Sequence, residues 1–186
     1  MTIEGLSPDD YLAVLAERQA ELAGWPRLPK WKIEALPLLH IDKPRFGVTI
    51  PSGDDMELRQ AVEVLGRCFQ REMRFDFPPF TAKPSPHHVA ESVEGFLFNS
   101  KKLLATFPVA TGAAGMSVQG GESWLDWIWI HPFERGRGLI DAAWDDLERT
   151  YGSEFRIQQP ISPAMKGFLR RREVDPKRWT TRDSGG

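Results

Sequence analysis

Hydrophobic and polar residues follow two different periods along residues 124–151. The first part, 124–130, is apolar apart from Asp126, which is typical of a strand buried on both faces of a sheet. A His-Pro pair ends this strand, because proline cannot donate a hydrogen bond to a sheet ladder. The apolar residues then recur at the spacing of one helix face, which comprises Leu139, Ala143, Leu147 and Tyr151. The pattern predicts a strand, a glycine-containing loop and a helix.

The same patterns predict further elements on both sides of this unit. Strands are predicted at 45–51, 94–101, 103–110 and 154–159, and residues 111–121 either continue the third of these or form a loop. Helices are predicted at 7–24, from 52–55 to Met73, at 87–93 and at 164–172. Ser7 and Ser162 each precede a proline, which is typical of a helix N-terminus.

Composition limits the classes of protein to which this chain can belong. It has 186 residues, 41% of them hydrophobic and 27% charged, with a net charge of −2, and these values indicate one soluble domain. The chain has no run of about 18 apolar residues that would predict a membrane span. Its first residues lack the charged and apolar regions of a signal peptide. We therefore expect a cytoplasmic protein without membrane contact, and the near-neutral charge does not favour nucleic acid as a partner.

Thiol and imidazole groups give no metal site. The single cysteine, Cys68, falls in the apolar stripe of the 52–73 helix, so we expect a buried core residue and neither an internal disulfide nor a cysteine-based zinc cluster. His87 and His88 have no acidic or cysteine partner at ligand spacing. No metal is predicted.

The positions of the prolines and the polar composition of the last residues divide the chain into three parts. Residues 1–44 contain the first helix and a proline-rich arm, residues 45–173 form the main domain, and residues 174–186 form a polar tail. Apolar residues lie between the prolines of the arm, which argues against free disorder. The arm therefore either covers the core or recognises a partner or substrate.

The loop between the 124–130 strand and its helix has the features of an anion site. Gly136 and Gly138 are free to take positive φ, and a helix start presents backbone N–H groups and the positive end of the helix dipole. Arg135 and Arg137 add positive charge. The Gly-Lys-Ser/Thr ending of a P-loop is absent, and Asp141 stands where a dinucleotide fingerprint has its third glycine.

The His-Pro-x-x-Arg-Gly-Arg-Gly-Leu loop after a buried strand resembles the acyl-CoA-binding motif of the GNAT N-acetyltransferase superfamily. That family's pattern, Gln/Arg-x-x-Gly-x-Gly/Ala, is matched by Arg135 and Gly138, and Ile140 occupies its final small-residue position. The predicted order of elements over 45–172 is also similar to the family. The Pro-Ile-Ser-Pro turn before Lys-Gly-Phe-Leu is faintly similar to the cohesin acetyltransferases.

This resemblance implies an α/β fold, with a mixed, mostly antiparallel central sheet flanked by helices and preceded by the helical arm. The family's last antiparallel strands are not evident after Arg172, so either the tail supplies one of them or the chain is a truncated member. The aromatic segment 75–80 borders the acceptor site or plugs the core.

The resemblance also implies an acyl-CoA-dependent N-acyltransferase, which moves acetyl from acetyl-CoA to an amine by direct attack. Coenzyme A would enter a gap between the 124–130 and 154–159 strands. The residues that would bind it are Ile128, Ile130, Arg135, Gly136, Arg137, Gly138, Leu139 and Ile140. No metal is implied.

Three residues are candidates for the chemistry that the resemblance implies. Asp126 is the first candidate for the general base, because it is the only charged residue of an apolar strand; alternatively it is structural and faces an arginine. Glu122, earlier on the strand, is the second. His131 titrates in a suitable range, but the family often has a His-Pro strand end there, so we expect a structural role. Because no tyrosine follows Tyr151, Ser162 or water would protonate the leaving thiolate.

Two alternatives come from other classes of protein. One is a catalytically silent GNAT-like binding module that acts through a protein partner, which the missing tyrosine and Ile140 favour. The other is a nucleic-acid-associated factor that uses Arg135, Arg137 and 170–172, which the acidic face of the 139–151 helix opposes. The basic residues at 166–172 either complement a helix dipole or contact the adenosine 3′-phosphate or an acidic substrate. The sequence does not determine the acceptor amine or whether the chain forms a homodimer.

Overall fold

The computed structural model of the chain describes residues 36, 37, 39, 49–83, 93–100 and 109–180. The described strands are β1 (Thr49–Pro51), β2 (Glu94–Asn99), β3 (Ala110–Gln119), β4 (Glu122–Ile130), β5 (Arg156–Gln158) and β6 (Trp179–Thr180). The described helices are α1 (Met56–Met73), α2 (Leu139–Tyr151) and α3 (Pro163–Arg171), with short 3-10 turns at Pro132–Glu134 and Pro176–Arg178. The predicted helix at 7–24 and almost all of the short helix at 87–93 lie outside the described residues, as does nearly all of the arm at 1–44.

The six strands form one mixed sheet in the order β1-β2-β3-β4-β5-β6. The pairs β1–β2, β2–β3 and β3–β4 are antiparallel, whereas β4–β5 and β5–β6 are parallel. Gly120 and Gly121 join β3 to β4, and both have the positive φ that a two-residue hairpin loop requires. The helix α2 carries the chain from β4 to the parallel strand β5. The predicted α/β class with a mixed sheet is confirmed.

One strand differs from its predicted position. The strand that pairs with β2 runs from Ala110 to Gln119, so the alternative in which 111–121 continue a strand is right as far as residue 119. The predicted strand at 103–110 lies largely outside the described residues. Glycine and alanine fill much of β3, and these residues carry little hydrophobic signal. They suit this position because Gly115 lies directly against the indole of Trp127, where any side chain would collide with it.

Each face of the sheet has its own core. The helix α1 covers one face, where Leu65 and Trp127 belong to the same buried cluster. The helices α2 and α3 cover the other face, where Leu125 packs in a cluster with Trp144 and Phe168. Leu125 and Trp127 are two positions apart on β4 and would share a face in a regular strand. They enter opposite cores, which requires an irregularity between them.

Side-chain caps fix the starts of two helices. Asp55 accepts hydrogen bonds from the backbone N–H groups of Glu57 and Leu58 at 2.9 and 3.1 Å, which starts α1. Ser162 accepts from the backbone N–H of Met165 at 3.2 Å, which starts α3. Both starts agree with the predicted ones.

Residues 174–180 of the predicted tail pack on the sheet. Val174 is buried, and Arg178 donates from Nε to the carbonyl oxygen of Phe155 at 2.9 Å while its guanidinium lies 4.7 Å from the centre of the Phe155 ring. The short strand β6 then pairs with β5. The tail therefore supplies a strand at Trp179 and Thr180, so β5 is an interior strand, but this strand is parallel to β5 and is not one of the antiparallel strands that the resemblance implies.

Candidate functional site

A cleft opens in the sheet where β4 and β5 separate. The two strands pair at two positions, Trp124 with Arg156 and Leu125 with Ile157. Beyond them β5 ends after one more residue, whereas β4 continues to Ile130. A cavity of about 770 Å³ occupies the gap, which is within the range of about 300–1,000 Å³ typical of small-molecule sites.

The cleft extends to both faces of the sheet. Phe69 and Met73, near the end of α1, line it on one face, and Met165 and Phe168 of α3 line it on the other. The residues of β4 that line it are mostly apolar.

A β-bulge lies at the point where the strands separate. On β3, Gly115 faces Trp127 and the next residue faces Leu125, so Asp126 is the extra residue of the bulge. The half-buried Asp126 lines the cleft and accepts a hydrogen bond from the hydroxyl of Ser117 at 3.1 Å. The bulge explains why Leu125 and Trp127 enter different cores.

The glycine-containing loop closes one end of the cleft. Gly136 and Gly138 have φ values of 71° and 75°, the left-handed region that favours glycine. Both line the cleft together with Leu139 and Ile140, the first residues of α2. The N–H groups in the first turn of a helix have no acceptor within that helix, and the positive end of the dipole lies there. This end of the cleft is suited to an anion.

The side chain of Arg135 is already engaged within the protein. Its Nε donates to the carbonyl oxygen of Ile130 at 2.8 Å, and its two terminal nitrogens donate to the two carboxylate oxygens of Glu72 at 2.8 and 2.6 Å. The indole N–H of Trp129 donates to the same carboxylate at 2.7 Å. Arg135 therefore ties the loop to the last turn of α1.

Glu72 was not among the predicted site residues, yet it lines the cleft. Burial alone would raise the pKa of this carboxyl, but the hydrogen bonds from Arg135 and Trp129 lower the pKa below its usual value. Glu72 lies 63 residues from Arg135 in the chain, so no local pattern could reveal the pair. Only the packing of α1 beside the end of β4 brings them together.

Arg137, which was predicted to bind coenzyme A, lies outside the cleft lining, whereas Arg171 of the basic run at 166–172 borders the cleft. Arg171 lies 3.6 Å from a carboxylate oxygen of Asp141 and 5.4 Å from the centre of the Phe168 ring. Arg172 pairs with Asp145 at 2.5 Å on the acidic face of α2. Part of the basic run therefore joins α3 to α2.

The structure brings two of the three predicted catalytic residues to the cleft. Asp126 and Ser162 line it, together with the predicted Ile128 and Ile130. Glu122 lies at the opposite end of β4, where its exposed carboxylate forms an ion pair with Arg156 at 3.1 Å. It is outside the cleft lining.

His131 follows the last residue of β4 and is buried. Its backbone N–H donates to the carbonyl oxygen of Thr111 at 2.7 Å, and its ring packs edge-on against Trp129. Burial, with the charge of Arg135, lowers the pKa of His131 to about 4. The imidazole is therefore neutral at pH 7, and the structural role expected for His131 stays a prediction.

The aromatic segment 75–80 lies outside the cleft lining. Phe80 is buried in the core beside α1, whereas 80% of the surface of Phe77 is exposed. Cys68 is half-buried, and burial raises the pKa of its thiol. Among the described residues, no three His, Cys, Asp or Glu side chains are grouped so that they could hold a metal ion. None of the helices in the described ranges has the length and apolarity needed to cross a membrane.

No protein-family model and no curated protein matches this chain.

Proposed function

We propose that this chain is a GNAT-like acyl-CoA-dependent N-acyltransferase, which moves acetyl from acetyl-CoA to an amine. The observation that carries the proposal is the separation of the parallel strands β4 and β5 beyond the bulge at Asp126. The gap that results ends at a glycine-containing loop and the start of α2. A long, mostly apolar cleft with an anion site at one end fits a thioester joined through pantetheine to a pyrophosphate.

The donor would bind along β4. Backbone N–H groups from Gly136 to Ile140 would hold the pyrophosphate at the start of α2. The pantetheine amides would pair with the edge of β4 near Ile128 and Ile130, where β5 no longer runs beside it. The thioester would then lie near the bulge, where a strand N–H would polarise its carbonyl group.

The reaction requires little covalent participation from the protein. The lone pair of a neutral amine attacks the thioester carbonyl carbon, so that a C–N bond forms and the C–S bond breaks. Asp126 would accept the proton that the amine nitrogen loses, directly or through water. Ser162 accepts the Met165 N–H through its oxygen, so its own O–H can donate a hydrogen bond to the departing thiolate, which then takes up the proton from Asp126 through water. The products are an amide and coenzyme A.

A calorimetric titration with acetyl-CoA tests the donor site. Gly138→Trp would place an indole at the mouth of the loop and should abolish micromolar binding. Gly120→Trp is the control, because Gly120 also has positive φ (61° against 75°) and also has no atom near its missing side chain, but it lies in the turn between β3 and β4, outside the cleft lining. Both variants place a residue with a side chain at a positive φ that favours glycine. Loss of binding in both variants, or binding by neither the wild type nor the control, would argue against this site.

A catalytically silent binding module is the second candidate. One observation favours it: the chain has two tyrosines, and Tyr151, the one that the structure describes, donates its hydroxyl to Glu94 and does not line the cleft. Burial and this carboxylate raise the pKa of Tyr151, so it is a poor proton donor. Binding of acetyl-CoA without transfer to any amine of a broad panel would favour the silent module.

A further inference from the structure

The contact between Arg135 and Glu72 links three elements at the edge of the cleft. Arg135 precedes the two left-handed glycines of the loop, Glu72 lies in the last turn of α1, and Ile130 ends β4. Three N–H groups of the guanidinium are used, one on Ile130 and two on Glu72, all at 2.6–2.8 Å. Because the planar guanidinium of Arg135 is bound through Nε and through both terminal nitrogens, it can take only one orientation. A single hydrogen bond at the surface would not restrict it in this way.

Aromatic packing adds to the restraint. Trp129 donates its indole N–H to Glu72 at 2.7 Å, and the guanidinium carbon of Arg135 lies 6.0 Å from the centre of the Trp129 ring. The Trp129 side chain is 4% exposed and belongs to the core under α1. Glu72 and Arg135 are therefore fixed to a rigid part of the fold, although part of each side chain reaches solvent.

The restraint matters because the loop is intrinsically flexible. Glycine populates positive and negative φ about equally, so Gly136 and Gly138 alone would leave the loop with several conformations. The Arg135 side chain is held immediately before the first of these glycines. This contact selects one course for the loop backbone that lines the cleft.

We infer that Glu72 is a positioning residue for the anion-binding loop: through Arg135 it holds residues 135–140 in the conformation that binds the pyrophosphate of an acyl-CoA. The ligand named here rests on the proposed function. The inference differs from the sequence-based expectation, in which the charge of Arg135 acts directly on the anion. Glu72 acts through Arg135, because its two carboxylate oxygens accept from the two terminal nitrogens of that guanidinium.

The direction in which one substitution changes the Kd for acetyl-CoA decides between these two roles of Arg135. Glu72→Gln keeps the side-chain size but removes the charge that holds the fork. If Glu72 positions the loop, the Kd for acetyl-CoA should rise about 10-fold, because the binding-competent loop conformation is less populated. If Arg135 is a direct ligand, the same change frees its guanidinium and removes a nearby negative charge, so the Kd should stay the same or fall. The second result would overturn the inference.

Glu63→Gln is the matched control on the same helix. Glu63 also accepts a hydrogen bond from an arginine, Arg67, at 2.7 Å, and another from the backbone N–H of Ala82 at 2.9 Å. Unlike Glu72, it does not line the cleft. Its loss should lower the melting temperature and leave the Kd for acetyl-CoA unchanged. An equal rise of Kd in Glu63→Gln would show that general destabilisation accounts for the effect.

A double substitution tests whether the two residues act as one unit. Arg135→Gln should raise the Kd about as much as Glu72→Gln, and the double variant should be no weaker than either single variant, because the second change removes an interaction that is already lost. Additive losses would mean that Arg135 and Glu72 act separately, against the inference.

Hydrogen–deuterium exchange without any ligand separates this inference from the proposed function. Amides of residues 135–140 should exchange about fivefold faster in Glu72→Gln than in the wild type, and at the wild-type rate in Glu63→Gln. Unchanged exchange in Glu72→Gln would overturn the positioning role. If acetyl-CoA failed to bind the wild-type protein, only the proposed function would fall, since exchange in the free protein still reports on the loop.

Discussion

The two edges of β4 differ sharply. Its edge toward β3 is paired along the whole strand, from Glu122 opposite Gln119 to Ile130 opposite Gly112, with a single bulge. Its edge toward β5 is paired at Trp124 and Leu125 only, among the described residues. The same strand is therefore a structural ladder on one side and the wall of a cleft on the other.

The difference shows how a small domain combines a stable sheet with a binding site. The β3 edge supplies continuous hydrogen bonds and close packing between small residues of β3 and the tryptophans of β4. Because the pairing with β3 holds β4 in place, the edge of β4 toward β5 is not needed for that purpose. We expect substitutions on the β3 edge to change mainly the free energy of unfolding, and substitutions in the cleft to change mainly binding and turnover.

The largest expected effect is on the paired edge. Gly115→Ala would push a methyl group into the indole of Trp127, which is itself packed against α1. Overpacking of this kind costs about 3 kcal/mol in the free energy of unfolding, measurable by urea denaturation. Gly167→Ala in α3, where no atom lies near the added methyl, should instead stabilise by about 0.5–1 kcal/mol. Similar effects of the two changes would show that the close contact between Gly115 and Trp127 does not limit stability at the paired edge.

The next effect concerns turnover at the open edge. Asp126→Asn keeps the size of the side chain but removes the proposed base, so kcat/KM for acetyl transfer should fall by about 100-fold, measured with the amine that the wild type acetylates fastest. The free energy of unfolding should change by less than about 1 kcal/mol. Glu122→Gln, on the same strand but outside the cleft, should keep wild-type turnover; a loss as large as that of Asp126→Asn would return Glu122 to the list of bases.

An effect of intermediate size is expected in the pH dependence of the free energy of unfolding, because of His131, which directly follows β4. The pKa of His131 is about 4 in the folded protein and about 6.5 in an unfolded chain. The unfolded chain therefore binds a proton first, so stability is complete above pH 6.5 and falls as the pH drops toward 4. Between pH 7 and 5 we expect a loss of about 2 kcal/mol in urea unfolding experiments.

The variant His131→Gln should lack this part of the pH dependence, whatever its stability at pH 7. An identical decrease in the wild type and the variant would assign the effect to other groups.

The smallest effect is expected at the ion pair beside the paired positions of β4 and β5. Arg156→Gln removes the contact with Glu122, in which both side chains are substantially exposed. Such pairs contribute little, so the free energy of unfolding should fall by less than about 0.5 kcal/mol in urea denaturation, and the Kd for acetyl-CoA should be unchanged. A loss of binding would show that the cleft extends further along β4 than its lining indicates.

Local patterns were sufficient to predict much of the fold. The apolar run of β4, the helical period of α2 and the Ser-Pro start of α3 each have a strong sequence signal, and the structure contains all three elements. The hairpin strand β3 was less certain, because its glycines and alanines have no hydrophobic period. Their placement depends on the tryptophans of β4, which a one-dimensional pattern does not connect to them.

The candidate site was only partly predictable for the same reason. The two left-handed glycines of the loop follow from the sequence, since only glycine readily adopts those angles. The bulge at Asp126 does not, because a bulge becomes visible only when the register with β3 is known. Glu72 is similarly hidden, since its partner lies far along the chain. That Arg135 binds the pyrophosphate directly stays a prediction. Its two hydrogen bonds to Glu72 suggest a different role, in which it holds the loop in position.

The bulge also has an evolutionary meaning. Every residue of β4 except Asp126 keeps a regular partner on β3, and the residues on either side of Asp126 already alternate correctly with respect to each other. Deleting Asp126 would therefore leave each remaining side chain on its present face and restore an uninterrupted ladder. A single in-frame codon separates a plain scaffold strand from one that carries an acid beside a cleft, so such a site can arise in one genetic step without repacking either core.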